Sequence, residues 1–372
     1  MSFEIEPLIE PVAAIAAQHA ASVDRGEFPI HSLRALGDAG LLGLTSAVEV
    51  GGKGQGMPAA AAVVERLARE CGSTAMVVCM HYSATAVIEA LGPLEVRRAI
   101  AAGKHLTTLA LSEAGSRSQF WVPVSTATAD RSDVVLNARK CFATSASHAD
   151  SYVWSSKPVA GGELSTLWLV PRTTPGVRVP AGGFDGLGLR GNDSSPIVAE
   201  DARIPATARL GDDGGGFAIM IGTVLPWFNV LAAAVSVGLM ETATQRTCSH
   251  AAGTQFQHAG TAIADLPTIR AYIARMRIKT DQNKALVADT LVAIATGRAD
   301  ATLRVLESKA AAGEAAAEVT DLAMRVCGGA AFRKEVGVER VFRDARAATI
   351  MAPTTDVLYD FIGKAACGMA LF

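Results

Sequence analysis

Cysteine and histidine, the side chains that most often bind metal ions, are scattered through this 372-residue chain rather than grouped. The six cysteines form no Cys-x-x-Cys pair and lie in apolar contexts, at positions 71, 79, 141, 248, 327 and 367. The seven histidines show no metal-ligand spacing either. Metal sites need such ligands at short, regular intervals. We therefore predict no metal site, and we interpret the cysteines as reduced core thiols of a cytoplasmic protein.

Two glycine-rich stretches are candidates for binding phosphate groups. Residues 186–191 (GLGLRG) match the Gly-x-Gly-x-x-Gly pattern of dinucleotide sites letter for letter. That chemistry requires a preceding strand and a following helix, because the diphosphate lies at the helix N-terminus. The residues that follow, 192–205 (NDSSPIVAEDARIP), are typical of a turn and then a strand. We predict a turn between strands at 186–191 and a flexible joint at 214–217 (GGGF).

The period of the apolar residues divides the chain into three zones. Helical spacing over residues 1–103 predicts an N-terminal helical domain. Over residues 104–212 the period changes to two, and since no helices separate the short runs, an antiparallel barrel or sandwich is favoured. Over residues 213–372 long alanine-rich helices with heptad-like spacing predict an up-and-down helical bundle with contacts between subunits. The fold class is therefore α+β.

The overall composition excludes several classes of protein. Hydrophobic residues make up 50% of the chain and charged residues 19%, which excludes disorder. The 34 Lys and Arg against 36 Asp and Glu leave a net charge of −2, so the basic excess of a nucleic-acid-binding protein is missing. The acidic N-terminus is unlike a secretory signal, and no uninterrupted apolar run reaches ~18 residues. We predict no membrane span and a cytoplasmic location.

Several short sequence motifs, taken in order, resemble those of the acyl-CoA dehydrogenase superfamily. Residues 111–118 (LSEAGSRS) are similar to its TEPGAGS loop, and residues 140–146 (KCFATSA) to its K-x-W-I-T-N-G strand. The stretches at 189–205, 327–329 (CGG) and 338–346 (VERVFRDAR) complete the set. The resemblance covers nearly the whole chain. It implies an N-terminal helical domain, a central β domain and a C-terminal four-helix bundle, assembled as a homotetramer or homodimer.

The same resemblance implies a flavin, FAD with FMN left open, between the β domain and the bundle, and it implies the residues that hold it. The implied flavin residues are Leu109, Leu111, Ser112, Phe142, Thr144, Arg325, Gly328, Gly329, Thr354 and Thr355. Ser118 falls where the family contacts the thioester arm of its substrate, and Trp227 and Phe228 fall at the mouth of the substrate pocket.

The resemblance breaks at the catalytic base. α,β-Dehydrogenation removes a proton next to the thioester carbonyl while hydride leaves Cβ for the flavin, which requires a positioned carboxylate. The family's usual glutamate falls at Ala352, and the alternative position that some relatives use falls at Phe228. An arginine that would clamp a neighbour's flavin diphosphate falls at Gly253. None of these three side chains can do the chemistry of the group it replaces.

Three functions stay open. One is an acyl-CoA dehydrogenase-like oxidoreductase with an atypical base, for which Asp356 is a candidate, helix capping being its competing interpretation. Its partner would be an electron-transfer flavoprotein. Another is a reduced-flavin-dependent monooxygenase that acts on a small molecule, with a flavin reductase as partner and His148 as a candidate contact to peroxide oxygen. The third is a non-catalytic flavin-binding or scaffold subunit.

Overall fold

Helices, then strands, then helices follow one another in the computed structural model, which describes residues 4–162 and 164–371. The order confirms the α+β organisation that the periodicity predicts. The helices are α1 Glu6–Asp24, α2 Ile30–Asp38, α3 Met57–Ala68, α4 Gly72–Leu91, α5 Leu94–Ala101, α6 Gly216–Ile219, α7 Leu225–Gly253, α8 Pro267–Ala295, α9 Ala301–Cys327, α10 Val338–Ala345, α11 Ala347–Ile350 and α12 Thr355–Ala366. The strands are β1 Thr107–Ala110, β2 Thr126–Asp130, β3 Asp133–Ala143, β4 Ser151–Ser156, β5 Thr166–Pro171, β6 Val177–Arg178, β7 Ser195–Pro205, β8 Arg209–Leu210, β9 Gln255–Phe256 and β10 Thr261–Ala262.

The central strands form a pair of four-stranded sheets within the described residues. One sheet has the order β1-β4-β5-β8 and the other has the order β2-β3-β7-β6. Side chains from both sheets, among them Trp154, Trp168 and Ile197, share one apolar cluster. The sheets therefore pack face to face as a sandwich.

The antiparallel prediction holds for these sheets with one exception. Strand β1 pairs with β4 in parallel, with Thr107 opposite Ser151 and Ala110 opposite Trp154. All other pairings in the two sheets are antiparallel. Parallel pairing requires a long crossover, which the whole β2–β3 hairpin supplies here. A period of two in the sequence carries no information about strand direction.

The β1-β4-β5-β8 sheet is covered on both faces. Tyr152 and Trp154 of β4 point into the sandwich, whereas Val153, between them, packs in a second cluster with residues of α4, α9 and α12. Successive side chains of a strand point to opposite faces. A sheet covered on both sides is therefore buried at every position, and every residue of β4 is buried, its three serines included.

The long helix α7 lies at the centre of the helical part. It packs against α8 and α9 of the C-terminal part and also against α3 and α4. At Gly238 a side chain would collide with the backbone of α3, so glycine allows this close approach. Because neighbours surround α7, it is apolar on all sides rather than amphipathic.

Two helical stretches of the described chain, Gly72–Leu91 and Gly216–Gly253, are long and apolar enough to cross a membrane by length and composition. The sequence analysis did not predict these candidates, because it looked only for uninterrupted apolar runs. In these stretches 72% and 61% of the most apolar window is buried inside the protein. Such burial is typical of core helices, so they are weak evidence for a membrane span.

Candidate active site

The two segments that the resemblance predicts to bind the flavin ring lie side by side in the β domain. Residues 111–118 follow β1, and residues 140–146 cover the end of β3 and the turn after it. The Cys141 N–H donates to the Ser112 carbonyl at 2.9 Å, and Glu113 pairs with Lys140 as an antiparallel bridge. The structure thus brings the two predicted flavin-binding segments together.

A buried ion pair fixes these two loops. Lys140 Nζ donates to Glu113 Oε1 at 2.5 Å and to the Ser155 carbonyl at 2.6 Å. Glu113 Oε2 also accepts the backbone N–H groups of Val124 and Ser125. Burial is the largest single influence on the pKa of Glu113 and would raise it, but the charge of Lys140 together with the hydrogen bonds from Lys140, Ser125 and Val124 leaves the pKa lowered. Burial lowers the pKa of Lys140 to about 8. Sequence reasoning assigned no role to this pair. The available signal was that each of the two motifs contains one of the two oppositely charged residues.

Phe142 and Thr144 offer a flat apolar surface beside a buried hydroxyl. The Phe142 side chain is 71% exposed, and its φ of +53° is uncommon for an aromatic residue. Thr144 is buried, with its Oγ1 3.2 Å from Ser194 Oγ. Binding sites for planar ligands combine apolar walls with a few polar groups. Leu109 and Leu111, in contrast, lie in the buried cluster with Trp121 and Phe361, so their side chains support the loop from within.

Ser118 and Thr354 lie in contact although 236 residues separate them in the sequence. The Thr354 N–H donates to Ser118 Oγ at 2.9 Å, and the two hydroxyl oxygens are 3.3 Å apart. The next residue, Thr355, begins α12, and its buried Oγ1 has no hydrogen-bond partner within the described residues. A buried hydroxyl without a partner costs free energy unless a ligand or water satisfies it.

The segment around Ala352 lies over a buried lysine. Ala352 is half-buried, and Lys309 Nζ donates to the carbonyls of the residues on either side, Met351 and Pro353. Burial lowers the pKa of Lys309 to about 7. The Phe228 ring centroid lies 5.8 Å from the same ammonium. Both positions at which a base was expected therefore adjoin Lys309, which the sequence reasoning missed because it belongs to the otherwise alanine-rich α9.

Gly328 and Gly329 border open space. A Cβ built at either glycine meets no atom within 4 Å, and Gly328 has a φ of +54°. Arg325 is exposed one turn earlier and stacks on Tyr272, with its guanidinium carbon 5.1 Å from the ring centroid. A backbone free of side chains next to a cation is suited to an approaching diphosphate.

The remaining candidates each have contacts of their own. The His148 ring stacks on Phe28 with 3.8 Å between centroids, and burial lowers its pKa. Asp356 is exposed in the first turn of α12 and lines a cleft of about 400 Å³ together with Gln119 and Trp121. Trp227 is half-buried and packs against the helical core. Within the described residues, no group of three or more His, Cys, Asp or Glu side chains is placed to hold a metal ion.

The donor set fits a flavin. The groups available are the exposed face of Phe142, the buried hydroxyl of Thr144, the Thr355 hydroxyl, which has no partner within the described residues, and the open glycine backbone at Gly328. Each is of a kind that one part of that cofactor needs. An isoalloxazine ring needs a flat apolar wall with hydroxyl or backbone donors, and its tail needs close backbone approach.

Comparisons with known proteins cover nearly the whole chain. Family models match three successive parts of the chain, which are described as the acyl-CoA dehydrogenase N-terminal domain over residues 9–103, middle domain over 108–202 and C-terminal domain over 214–367. The chain is 28% identical to "Probable acyl-CoA dehydrogenase YngJ" of Bacillus subtilis, over 92% of this chain and 91% of that protein. It is 29% identical to the mitochondrial short-chain specific acyl-CoA dehydrogenase of Homo sapiens, over 91% and 83%. The structure of a glutaryl-coenzyme A dehydrogenase–glutaryl-CoA complex superposes with a TM-score of 0.92 at 23% identity, covering 100% of this chain and 97% of the other.

Proposed function

This chain belongs to the acyl-CoA dehydrogenase family, and we propose that it oxidises an acyl thioester between Cα and Cβ with a base other than the usual glutamate. Members of this family are flavin-dependent oxidoreductases that use FAD. The substrate and the base are the parts that the proposal adds.

The hydrogen bond from Thr354 to Ser118 is the observation that carries the proposal. It joins residues 111–118, which by resemblance contact the thioester arm of the substrate, to the segment in which the family carries its base. A dehydrogenase needs these two groups on the same substrate, one at the carbonyl end and one at Cα. Ser118 therefore orients the thioester, and the 351–356 segment closes the pocket beside Cα.

A bound flavin would supply the acceptor for the hydride that leaves Cβ. Thr144 and the Ser112 backbone would hold the ring, with Phe142 against its face. The chain's own task is then to take the proton from Cα, which Ala352 cannot do. Asp356 is the carboxylate nearest in sequence to Ala352 and lines the cleft beside Gln119, the neighbour of Ser118. We assign the proton to Asp356 Oδ.

The decisive experiment is an anaerobic titration of the FAD-loaded protein with a panel of acyl-CoAs, followed at the visible flavin band. Bleaching by at least one acyl-CoA is the expected result. An unchanged band across a broad panel would contradict dehydrogenation. A colourless preparation that takes up no added FAD would contradict a flavin enzyme altogether.

A reduced-flavin-dependent monooxygenase is the second candidate. The specific observation that favours it is that Ala352 and Phe228, the two positions of the family's base, both lack a proton acceptor. His148 is then a candidate for the peroxide contact, although its ring stacks on Phe28. Substrate hydroxylation that depends on a flavin reductase and O2 would support this function in place of dehydrogenation.

The partners follow from the reaction. For the dehydrogenase we propose an electron-transfer flavoprotein as the acceptor that reoxidises the flavin. We also propose a homotetramer or homodimer, supported by exposed apolar side chains on α8 at Ile278 and Val292. The cytoplasmic location stays a prediction.

A further inference from the structure

A charged side chain lies below the 348–353 segment, and it is neither one of the proposed flavin residues nor the proposed base. Lys309, in the middle of α9, is 2% exposed. A buried ammonium group is costly unless good acceptors surround it. Its position beside the proposed active site therefore requires an explanation.

The acceptors of Lys309 all belong to one short stretch of backbone. Its Nζ donates to the carbonyls of Pro353 at 2.7 Å, Met351 at 3.0 Å and Ala348 at 3.4 Å. One turn further along α9, a Cβ at Gly313 would stand 3.4 Å from the Ala348 carbonyl. The 348–353 segment thus lies directly on the helix, and Lys309 is the group that ties it down.

The peptide unit between Pro353 and Thr354 is held at both ends. Its carbonyl accepts from Lys309, and its N–H donates to Ser118 Oγ at 2.9 Å. Donation to a peptide carbonyl polarises the unit and strengthens the bond that its N–H makes. One hydrogen-bonded line therefore runs from the bundle, through the segment at Ala352, to the β domain.

We propose that Lys309 is a positioning residue of the active site, which clamps the Pro353–Thr354 peptide and so holds Ser118 and the Ala352 segment in register. This inference rests on the proposed function only in that it names the site that the clamp serves. Lys309 touches neither substrate nor cofactor in this assignment and acts through the backbone of residues 353 and 354.

The test is the hydrogen exchange rate of the Thr354 amide in the full-length protein, read by mass spectrometry with residue-level fragmentation. Pro353 has no N–H, which isolates the Thr354 amide from the preceding position. Lys309→Met removes the donor at similar length, and Ser118→Ala removes the acceptor at the other end. We expect each variant to accelerate exchange at Thr354 by roughly 10-fold, as the loss of one hydrogen bond implies.

The double variant distinguishes a clamp from two separate contacts. If both bonds act on one peptide unit, the double variant exchanges no faster than about 3-fold above the faster single variant, whereas independent contacts would multiply. Lys309→Arg, which keeps a charged donor, is expected to retain the protection. Ser116→Ala is the matched control, because Ser116 lies in the same loop and its hydroxyl donates to the Glu113 carbonyl rather than to the 351–356 segment.

Exchange at the wild-type rate in folded Lys309→Met, or multiplied effects in the double variant, would overturn the proposal. If Lys309→Met does not fold, Lys309→Leu, which also lacks a donor, takes its place: acceleration there and in Ser118→Ala supports the clamp, and acceleration in only one of them overturns it. The exchange is measured without substrate. A clamp that fails here leaves flavin bleaching by acyl-CoA intact, and a failed titration leaves the exchange result intact.

Discussion

Thr144 is the side chain at which the flavin assignment is most directly testable. Its hydroxyl is buried at the end of β3, and Ser194 Oγ lies 3.2 Å away. Thr144→Val keeps the shape but leaves a flavin heteroatom without its partner. We expect the Kd of FAD to rise by roughly 5- to 150-fold, equivalent to about 1–3 kcal/mol, in a titration of apoprotein followed by flavin fluorescence.

Two neighbouring substitutions serve as controls for Thr144. Ser194→Ala removes the group that orients the Thr144 hydroxyl, so it should raise the Kd by less than Thr144→Val does. Thr128→Val changes an exposed threonine of the same sheet and should leave FAD binding unchanged. Equal affinity in wild type and Thr144→Val would remove Thr144 from the flavin site.

Asp356 is tested through the chemistry rather than through binding. Asp356→Asn keeps the size of the side chain but cannot accept the proton from Cα. A missing general base typically costs 10²–10⁴-fold, so we expect bleaching by the best acyl-CoA to slow by at least about 100-fold with FAD binding unchanged. Stopped-flow absorbance at the flavin band measures the rate.

The chain offers a matched control for Asp356 one turn later in α12. Asp360 lines the same cleft, but it forms an ion pair with Lys364 at 3.0 Å. Asp360→Asn should bleach at close to the wild-type rate. Wild-type bleaching by Asp356→Asn itself would assign the proton to another group.

Short motifs such as residues 111–118 (LSEAGSRS), through their resemblance to those of the family, predicted the segments that we propose for the site. They did not predict that Ser118 meets Thr354, since nothing local links residues 236 positions apart. Nor did they predict Lys309, whose role depends on three carbonyls of a distant segment. Backbone acceptors have no sequence signature, so a side chain that binds them resembles any helix lysine.

Among the elements, the strands were predictable and their partners were not. The short run at residues 151–156 (SYVWSS), bounded by turn residues, predicts a strand, and β4 covers these residues. The parallel pairing of β4 with β1 depends on what lies between them, namely the β2–β3 hairpin of the other sheet. Such pairings are set by the packing of both sheets around Trp154 and Trp168, which periodicity does not report.

Helix α10 contributes a buried carboxylate that makes stability depend on pH. Asp344 accepts the Leu189 N–H at 2.6 Å, but burial raises its pKa from the ordinary value of 3.8 to about 6. Between these two values the folded protein binds more protons than the unfolded chain. The free energy of unfolding therefore falls as pH rises from about 4 to about 6, and it is constant on either side of this window as far as Asp344 is concerned.

Asp344→Asn should remove this dependence while keeping an acceptor for Leu189. We expect the difference in unfolding free energy, wild type minus Asp344→Asn, to fall by about 2–3 kcal/mol between pH 4 and pH 6, since one pKa unit corresponds to about 1.4 kcal/mol. Urea unfolding at a series of pH values measures it. Parallel profiles for the two proteins would show that Asp344 has an ordinary pKa.

At the scale of the whole molecule, one turn of the β domain joins all three parts of the chain. The 186–193 turn, which lies between β6 and β7 as its sequence predicts, contacts α10 through Leu189 and α4 through the bond from the Gly191 N–H to Ser73. Near it, Asp24 of α1 forms a two-bonded ion pair with Arg343 of α10 at 2.7 Å. The glycines that imitate a dinucleotide motif thus serve packing between domains.

The same turn is also connected to the flavin loop. The Asn192 carbonyl accepts the Ser145 N–H at 2.9 Å, and Asp193 accepts the Ser147 N–H at 2.6 Å. These bonds fix the backbone on the far side of Thr144. A substitution that displaces α10 should therefore affect the flavin site through the turn, although none of the proposed flavin residues belongs to α10.

Gly188→Ala tests this connection, because a Cβ at Gly188 would overlap the backbone of Arg343 and Asp344 at the end of α10. Backbone atoms cannot move aside as a flexible side chain can, so the turn and the helix must separate. We expect a loss of about 1–3 kcal/mol in unfolding free energy, as for overpacking elsewhere, together with weaker FAD binding. Gly363→Ala is the control, since a Cβ there meets no atom within 4 Å and the residue lies in α12, where alanine should stabilise by up to about 1 kcal/mol. Lower stability with unchanged FAD affinity in Gly188→Ala would mean that the turn supports the fold but does not hold the flavin loop.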